Sequence, residues 1–252
     1  MDEQMFCFQC EQAANCTACT GAAGVCGKSA DTAAAQDRLT GALITCAGQL
    51  LADEQSPSAQ QAMLLMQGLF TTITNVNFDA GTVDELTAKV RAACPAAGPG
   101  YNMQLLWHEP DADVRSLKSF ILFSLRGMAA YNYHARVLGR VDPALDKFYC
   151  TALKAVGTSG LSMEELWLLV QRTGEASFRT MELLDHANTG AFGEPQPVEV
   201  PLTIEKGPFI VISGHDLYDC QQLLAQTEGK GINVYTHSEM LPAHGYPELK
   251  QR

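Results

Sequence analysis

Between about Ser29 and Asp185 apolar residues recur every three or four positions, the period of an α-helix with one buried face. Leu39, Leu43, Cys46, Ala47 and Leu50 mark the first such face. Ser56-Pro57 reads as an N-cap followed by proline at the first helical position, with Met63, Leu64, Leu69 and Ile73 behind it. Thr82-Val-Asp-Glu85 has the form of a capping box, and Pro95 follows the end of that helix. Val114, Leu117, Ile121, Leu125, Met128 and Tyr131 predict a longer helix. Ser162-Met-Glu-Glu165 is a second capping box, opening a helix with Leu166, Trp167, Val170, Phe178 and Met181 on one side. These segments predict one or two helical bundles joined by short loops. Within them Cys46 and Cys150 read as small buried hydrophobes. Cys94 has no assigned role, and His108, His134 and His186 are expected to be structural.

After Asn188 the pattern changes. Gly190, Gly193, Pro195, Pro197 and Pro201 form a linker signature. Val198, Val200, Leu202 and Ile204 then alternate as in an exposed edge strand. Pro208-Phe-Ile-Val-Ile-Ser213 reads as a buried strand, Asp216 to Glu228 as a helix, and Ile232-Asn-Val-Tyr-Thr236 as a second strand. A strand–helix–strand unit predicts parallel strands with a right-handed crossover. His215 would then lie just past the carboxyl end of the first strand and Glu239 just past that of the second. Ligand sites of open parallel sheets form at those ends, and an imidazole beside a carboxylate suits iron with open positions. Read from the residues alone, Ser-Gly-His-Asp216 is more simply a turn with an N-cap aspartate.

Composition adds constraints. The 252 residues are 46% hydrophobic and 18% charged, a globular composition. A formal net charge of −11 would repel phosphate backbones, so nucleic acid is not an expected partner. The opening Met-Asp-Glu-Gln has no basic region and no apolar run behind it, and no stretch approaches a membrane span. A cytoplasmic protein without membrane association is expected. In a reducing compartment its nine cysteines read as ligands and buried thiols in preference to disulfides.

Five of those nine, Cys7, Cys10, Cys16, Cys19 and Cys26, fall in one short segment. Iron and zinc both accept four thiolates in a roughly tetrahedral set, and a Cys-x2-Cys hook supplies two from one turn. Gly21, Gly24 and Gly27 allow tight bends that aim backbone N–H groups at sulfur. Packing everything into one stretch favours an iron–sulfur cluster over structural zinc, which remains the alternative. One thiol of the five must stand aside.

Met5-Phe-Cys-Phe-Gln-Cys-Glu-Gln12, a cysteine about nine residues later, and Val25-Cys-Gly-Lys28 resemble the N-terminus of hybrid cluster proteins, the prismane or hydroxylamine reductase family. The resemblance implies a [4Fe-4S] cubane held by Cys7, Cys10, Cys19 and Cys26. Cys16 is the surplus thiol, and the choice between Cys16 and Cys19 stays open. Thr74-Asn-Val-Asn-Phe-Asp79 and Ala129-Ala-Tyr-Asn-Tyr-His-Ala135 continue the resemblance without chemistry. Ser213-Gly-His-Asp-Leu217 and the stretch Tyr235-Thr-His-Ser-Glu-Met-Leu-Pro-Ala-His-Gly-Tyr-Pro-Glu248 resemble the segments that supply two ligands to the family's hybrid [4Fe-2O-2S] cluster. That implies His215 and Glu239 as ligands at the catalytic centre, with His237 and His244 in support. Ser238 stands where the family has glycine. The Phe-Cys-Phe-Gln-Cys start and the Thr-His-Ser-Glu segment argue against a carbon monoxide dehydrogenase-like identity.

The expected fold class is α + α/β. A cluster-binding segment (1–28) and a helical bundle domain (29–187) precede the start of a truncated, Rossmann-like βαβ domain (188–252). The resemblance implies an oxidoreductase that reduces hydroxylamine, with nitric oxide as a second candidate substrate, in nitrosative-stress defence, with an NADH-dependent reductase as electron donor. Four further cysteines and a second glutamate of the hybrid site belong to a C-terminal half that this sequence does not contain. By itself the chain is expected to keep the electron-entry cluster and to lack the complete hybrid site. The competing reading is a single-cluster electron-transfer or structural metal-binding module without catalysis.

Overall fold

The computed structural model describes the chain except for residues 1–4, 11–12, 54–55, 74–75 and 96–98, and it describes Cys16 by its backbone only. Of the features singled out above, the first four residues, Glu11, Gln12, Thr74, Asn75 and the Cys16 side chain therefore lie outside the described residues. Two compact units are present: Met1–Tyr133 with Asp142–Met181, and His134–Val141 with Glu182–Arg252.

The first unit is built around α1 (Ala30–Ala52), which packs against α2 (Ala59–Thr71), α3 (Ala80–Ala93) and α6 (Pro143–Gly157). A short α4 (Gln104–Trp107) and most of the long α5 (Ala112–Val137) and α7 (Met163–Phe192) complete it, the last residues of α5 and α7 belonging to the second unit. The predicted face of α1 is the buried one, with Leu39, Leu43 and Ala47 fully enclosed. Ser29 starts the helix by accepting a hydrogen bond from the Thr32 N–H at 3.2 Å, which satisfies a donor that the first turn leaves free.

Two helix starts differ from expectation. Ser58, not Ser56, caps α2: its hydroxyl accepts from the Gln61 N–H while the Gln61 side chain accepts from the Ser58 N–H. The buried side of α2 accordingly carries Leu65, Met66 and Leu69, with Met63 and Leu64 only partly covered. Asp79, not Thr82, caps α3, accepting from the N–H groups of Gly81 and Thr82. A carboxylate one turn earlier outcompetes the hydroxyl, and the Thr82 hydroxyl donates to it in turn. The Ser162–Glu165 box forms as predicted. Beyond it the face is shifted: Leu166, Leu169, Thr173, Ala176 and Thr180 are buried, whereas Trp167, Phe178 and Met181 are exposed. Tyr131 of α5 is also exposed.

Cys46 on α1 and Cys94 at the end of α3 are joined as a disulfide, with Cα atoms 5.1 Å apart. This corrects the expectation of a simple buried thiol at Cys46 and of no role for Cys94. A sequence separation of 48 carries no signal of the pairing, which arises because α1 lies on α3. Cys150 is a buried free thiol as expected, and burial pushes its pKa up to about 12.

The second unit contains β1 (Phe209–Ser213), α8 (Leu217–Thr227) and β2 (Asn233–His237). A 3₁₀ segment, Ser238–Gly245, and a short α9 (Pro247–Lys250) follow. The strands pair in parallel with Ser213 opposite His237, as the strand–helix–strand pattern predicted. Phe192, Leu217, Cys220, Met240, Ala243, Tyr246 and Leu249 form the local core. Helix α7 runs on through Gly190 to Phe192, so the extended connection begins only at Gly193. The alternating segment from Val198 to Ile204 forms no strand, because its backbone finds no ladder partner among the described residues. Nor is β1 a fully buried strand: Phe209 and Val211 on one of its faces are each 56% exposed. No helix among the described residues is long and apolar enough to cross a membrane.

Close helix packing generates a matched test on α1. A Cβ added at Gly41 would lie 2.2 Å from the carbonyl oxygen of Tyr101, whereas one added at Gly48 would meet nothing within 4 Å. Gly48→Ala should stabilise the chain by about 0.5–1 kcal/mol through helix propensity. Gly41→Ala should destabilise it by about 1–3 kcal/mol, since backbone must move. Urea denaturation of the two variants checks the opposite signs.

Candidate functional site

The cysteine segment folds back on itself. Cys7 and Cys19 face one another in an antiparallel bridge, the Cys7 N–H donating to Cys19 O at 3.0 Å and the Cys19 N–H to Cys7 O at 2.9 Å. A pair that exchanges both bonds carries its two side chains on the same face. Phe6 stacks on His108, ring centroids 5.2 Å apart, and Phe8 meets the edge of Trp107 at 5.5 Å. Side chains alternate along extended backbone, so anchoring both phenylalanines turns Cys7 the other way. The Cys19 sulfur accepts a hydrogen bond from the Ala14 N–H at 3.4 Å. Around Cys26 the chain closes tightly: the Gly27 N–H donates to Gly24 O and the Gly24 N–H to Lys28 O, both at 2.8 Å. Gly27 at φ +85° takes the left-handed conformation that the turn requires.

Cys7, Cys10, Cys19 and Cys26 are all free thiols, Cys7 and Cys19 buried and Cys10 and Cys26 partly exposed. Burial raises the Cys7 pKa, with Lys28 acting in the opposite direction. The bridge thus brings Cys7 and Cys19 together. Among the described residues no three or more histidine, cysteine, aspartate or glutamate side chains gather into a metal-holding group, so the four sulfurs are not drawn into one cage.

Beneath this loop lies a buried polar network. Gln9, between Cys7 and Cys10, is 3% exposed, and the nearby cations Lys28 and Arg126 are 1% and 3% exposed. Arg126 on α5 donates through Nη1 to the Gln9 carbonyl at 2.7 Å, and through Nη2 to the Gln9 side-chain oxygen and to Thr40 Oγ1. The Gln9 amide donates onward to Asp37, which also accepts from Trp107 Nε1 at 3.3 Å. Lys28 Nζ donates to the Gln36 side chain, whose amide reaches Asn77 O at 3.2 Å. Burial pushes Asp37 up to about 6 against the pull of Trp107, Arg126, Lys28 and Gln9. It pushes Arg126 down to about 10, opposed by Asp37, Cys7 and Cys10.

In the second unit the strand ends meet as the register requires. His215 Nε2 and Glu239 Oε2 are 2.9 Å apart, and their side chains are 72% and 67% exposed. Asp216 caps α8 by accepting from the N–H groups of Tyr218 and Asp219. Burial works to raise the Asp216 pKa, but the His134 hydrogen bond and these N–H groups outweigh it and hold it low. His134 Nδ1 stands 3.3 Å from the Asp216 carboxylate, a structural role as expected. Ser213 Oγ lies 2.9 Å from His237 Nδ1, and Thr236 Oγ1 lies 2.7 Å from His244 Nε2. These bonds tie both support histidines to the strands. Ser238 has φ +55°, in the left-handed region. That explains why glycine suits the position immediately before Glu239.

Comparison with known proteins matches residues 5–252 to the Prismane/CO dehydrogenase family. The chain belongs to this family. It is 44% identical to a hydroxylamine reductase of Maridesulfovibrio salexigens over 98% of its length, and 46% identical over 98% to one of Thermodesulfovibrio yellowstonii. A hydroxylamine reductase of Desulfovibrio desulfuricans is 41% identical over 100% of the chain. In each case the match covers 51% of the relative. The chain therefore spans about half the length of the curated relatives it matches.

Asp37, Trp107 and Arg126 were not candidates from the sequence. Arg126 left a trace: it is a cation inside the apolar stripe Leu122, Leu125, Met128, Ala129 of α5. Asp37 left none, since Gln36-Asp-Arg38 reads as an ordinary polar helix segment.

Two measurements follow from this geometry. Because the folded pKa of Asp37 lies above its unfolded value, its contribution is fully present below pH 3.8 and is lost as pH rises through about 6. That is a fall of roughly 3 kcal/mol, and denaturation of the metal-free chain at successive pH values should lose this slope in Asp37→Asn. In the second unit, Ser238→Gly should stabilise by about 0.5–1 kcal/mol by relieving the left-handed serine. A Tm no higher than that of the parent chain would contradict the strain.

Proposed function

We propose that this chain is the electron-entry portion of a hydroxylamine reductase-type oxidoreductase. It would hold a [4Fe-4S] cluster on Cys7, Cys10, Cys19 and Cys26 and contribute His215 and Glu239 to a hybrid [4Fe-2O-2S] site. The observation that carries the reading is the cysteine loop, in which Cys7 is set opposite Cys19 above two buried cations. Four thiolates around a cubane leave a net negative unit, and desolvated Lys28 and Arg126 are the charges such a unit needs. The bridge favours Cys19 over Cys16 as the third ligand, because it gives Cys19 the same face as Cys7.

When bound, the clusters supply the redox chemistry and a Lewis-acidic iron for a small nitrogen substrate, hydroxylamine or nitric oxide. The chain's own residues position and exclude. Phe6 and Phe8 anchor the loop, and the Ala14 N–H stabilises charge on the Cys19 sulfur. Register brings His215 and Glu239 within reach of one another at the carboxyl ends of a parallel pair. We assign this βαβ unit to the beginning of a Rossmann-like domain. Their high exposure suits ligands whose remaining partners, the thiolates and a second carboxylate, come from outside these residues. Electrons would enter from an NADH-dependent reductase, and the setting would be cytoplasmic nitrosative-stress defence. A second reading, an electron-transfer module without catalysis, draws on the same exposure of His215 and Glu239.

Iron and acid-labile sulfide in anaerobically purified protein test the proposal. About four of each per chain are expected, from the cubane alone. Cys7→Ser, Cys10→Ser and Cys19→Ser should each abolish it and Cys16→Ser should not. The chain alone should consume no hydroxylamine with a reduced dye, and adding the remaining half of a relative should restore turnover if the enzymatic reading holds. Zinc in place of iron would overturn both readings.

A further inference from the structure

Arg126 poses an electrostatic problem that no carboxylate among the described residues solves by pairing with it directly. A guanidinium removed from water in a helical core is costly unless an anion or a full set of hydrogen bonds compensates it. Its acceptors are all neutral: the carbonyl and side chain of Gln9 and the hydroxyl of Thr40. The face of Phe123, 5.7 Å away, adds a weak cation–π contact. Its buried Nε has no hydrogen-bond partner among the described residues. Lys28 is in the same position, with a neutral Gln36 oxygen as acceptor. Among the described residues Asp37 is the carboxylate that reaches this network, and it does so through Gln9 and Trp107, with no direct hydrogen bond to either cation. Among the described residues two buried positive charges thus stand against one negative charge, at the base of the loop that carries the free thiols Cys7, Cys10, Cys19 and Cys26.

The location of Arg126 is specific. Both of its Nη atoms donate to Gln9, which with Phe8 separates the two members of the Cys7–Cys10 hook. Gln9 in turn passes a hydrogen bond to Asp37. The hook therefore rests on a cation, with an anion one hydrogen-bonded side chain further away.

We propose that Arg126 is the positioning residue that sets the reduction potential of the cluster held by this loop, with Asp37 as its counterweight. The inference rests on the [4Fe-4S] reading above. Reduction adds one electron, passed from a reduced low-potential dye to the cluster, and makes the cluster unit more negative by one charge. A desolvated cation at the hook favours that added charge, and a carboxylate in the same network opposes it. Removing the cation must lower the potential and removing the anion must raise it. A purely structural role, in which either change only loosens the loop, predicts no such opposition of sign.

The test is a dye-mediated redox titration of the full chain, followed by electron paramagnetic resonance, with iron content measured alongside. Arg126→Gln should lower the equilibrium constant for reduction about tenfold, which is about 59 mV for a one-electron couple. Asp37→Asn should raise it by a similar factor, and Arg126→Lys, which keeps the charge, should stay within about threefold of the parent. If Arg126→Gln fails to fold or to load iron, Asp37→Asn decides: a higher potential supports the proposal and an unchanged one overturns it. Loaded variants that all titrate with the parent overturn the inference and leave the cluster assignment intact. A parent chain that takes up no iron overturns the cluster assignment and the inference with it.

Discussion

Two cations enclosed beside a cysteine-rich loop are the constraint around which the first unit is organised. Lys28 comes from the loop itself and Arg126 from α5, and neither meets a carboxylate directly among the described residues. Burying them is tolerable only if every nearby dipole is turned toward them, and that demand fixes much else. It accounts for the burial of Gln9, Gln36 and Thr40, polar residues that a helical core would otherwise exclude. It also ties the first described residues of the chain to helices more than a hundred positions away, through a Gln9–Arg126 separation of 117.

The two candidate sites are built on opposite principles. The cysteine loop is a buried arrangement held by aromatic anchors, backbone bonds and a hydrogen-bonded charge network. The His215–Glu239 pair is an exposed arrangement held by the register of two strands and by the caps and turns just beyond them. The first can shape the electronic properties of whatever it binds, since charges act strongly where water is excluded. The second can offer two ligands to an open face but cannot by itself exclude water. The chain spans about half the length of the curated relatives it matches, and that contrast is the one expected if the buried arrangement lies within one half and the exposed pair awaits further residues.

Element type was legible from the chain because helix periodicity, capping boxes and the strand–helix–strand pattern are local properties. The Ser162–Glu165 box, the buried face of α1 and the parallel pairing of β1 with β2 needed no tertiary information. The strand-end meeting of His215 and Glu239 was legible for a related reason: parallel register places the ends of adjacent strands together whatever the side chains are. The cysteine loop was recognisable from spacing and from motif resemblance, which the family match over residues 5–252 bears out at the level of the family.

What the sequence could not decide were the contacts between segments far apart in the chain. One local choice was also open, namely which hydroxyl or carboxylate caps α2 and α3, a competition within a few residues. Which side of α7 is buried was likewise settled only in the fold, where Trp167 and Phe178 face outward despite their size. The Cys46–Cys94 pairing and the Asp37–Gln9–Arg126 chain exist only because α1, α3 and α5 converge. Residue type and spacing determined that this protein carries a cysteine-rich loop and a strand-end pair. Long-range packing alone determined the charges that surround the first, because a buried charge is defined by the water its neighbours remove.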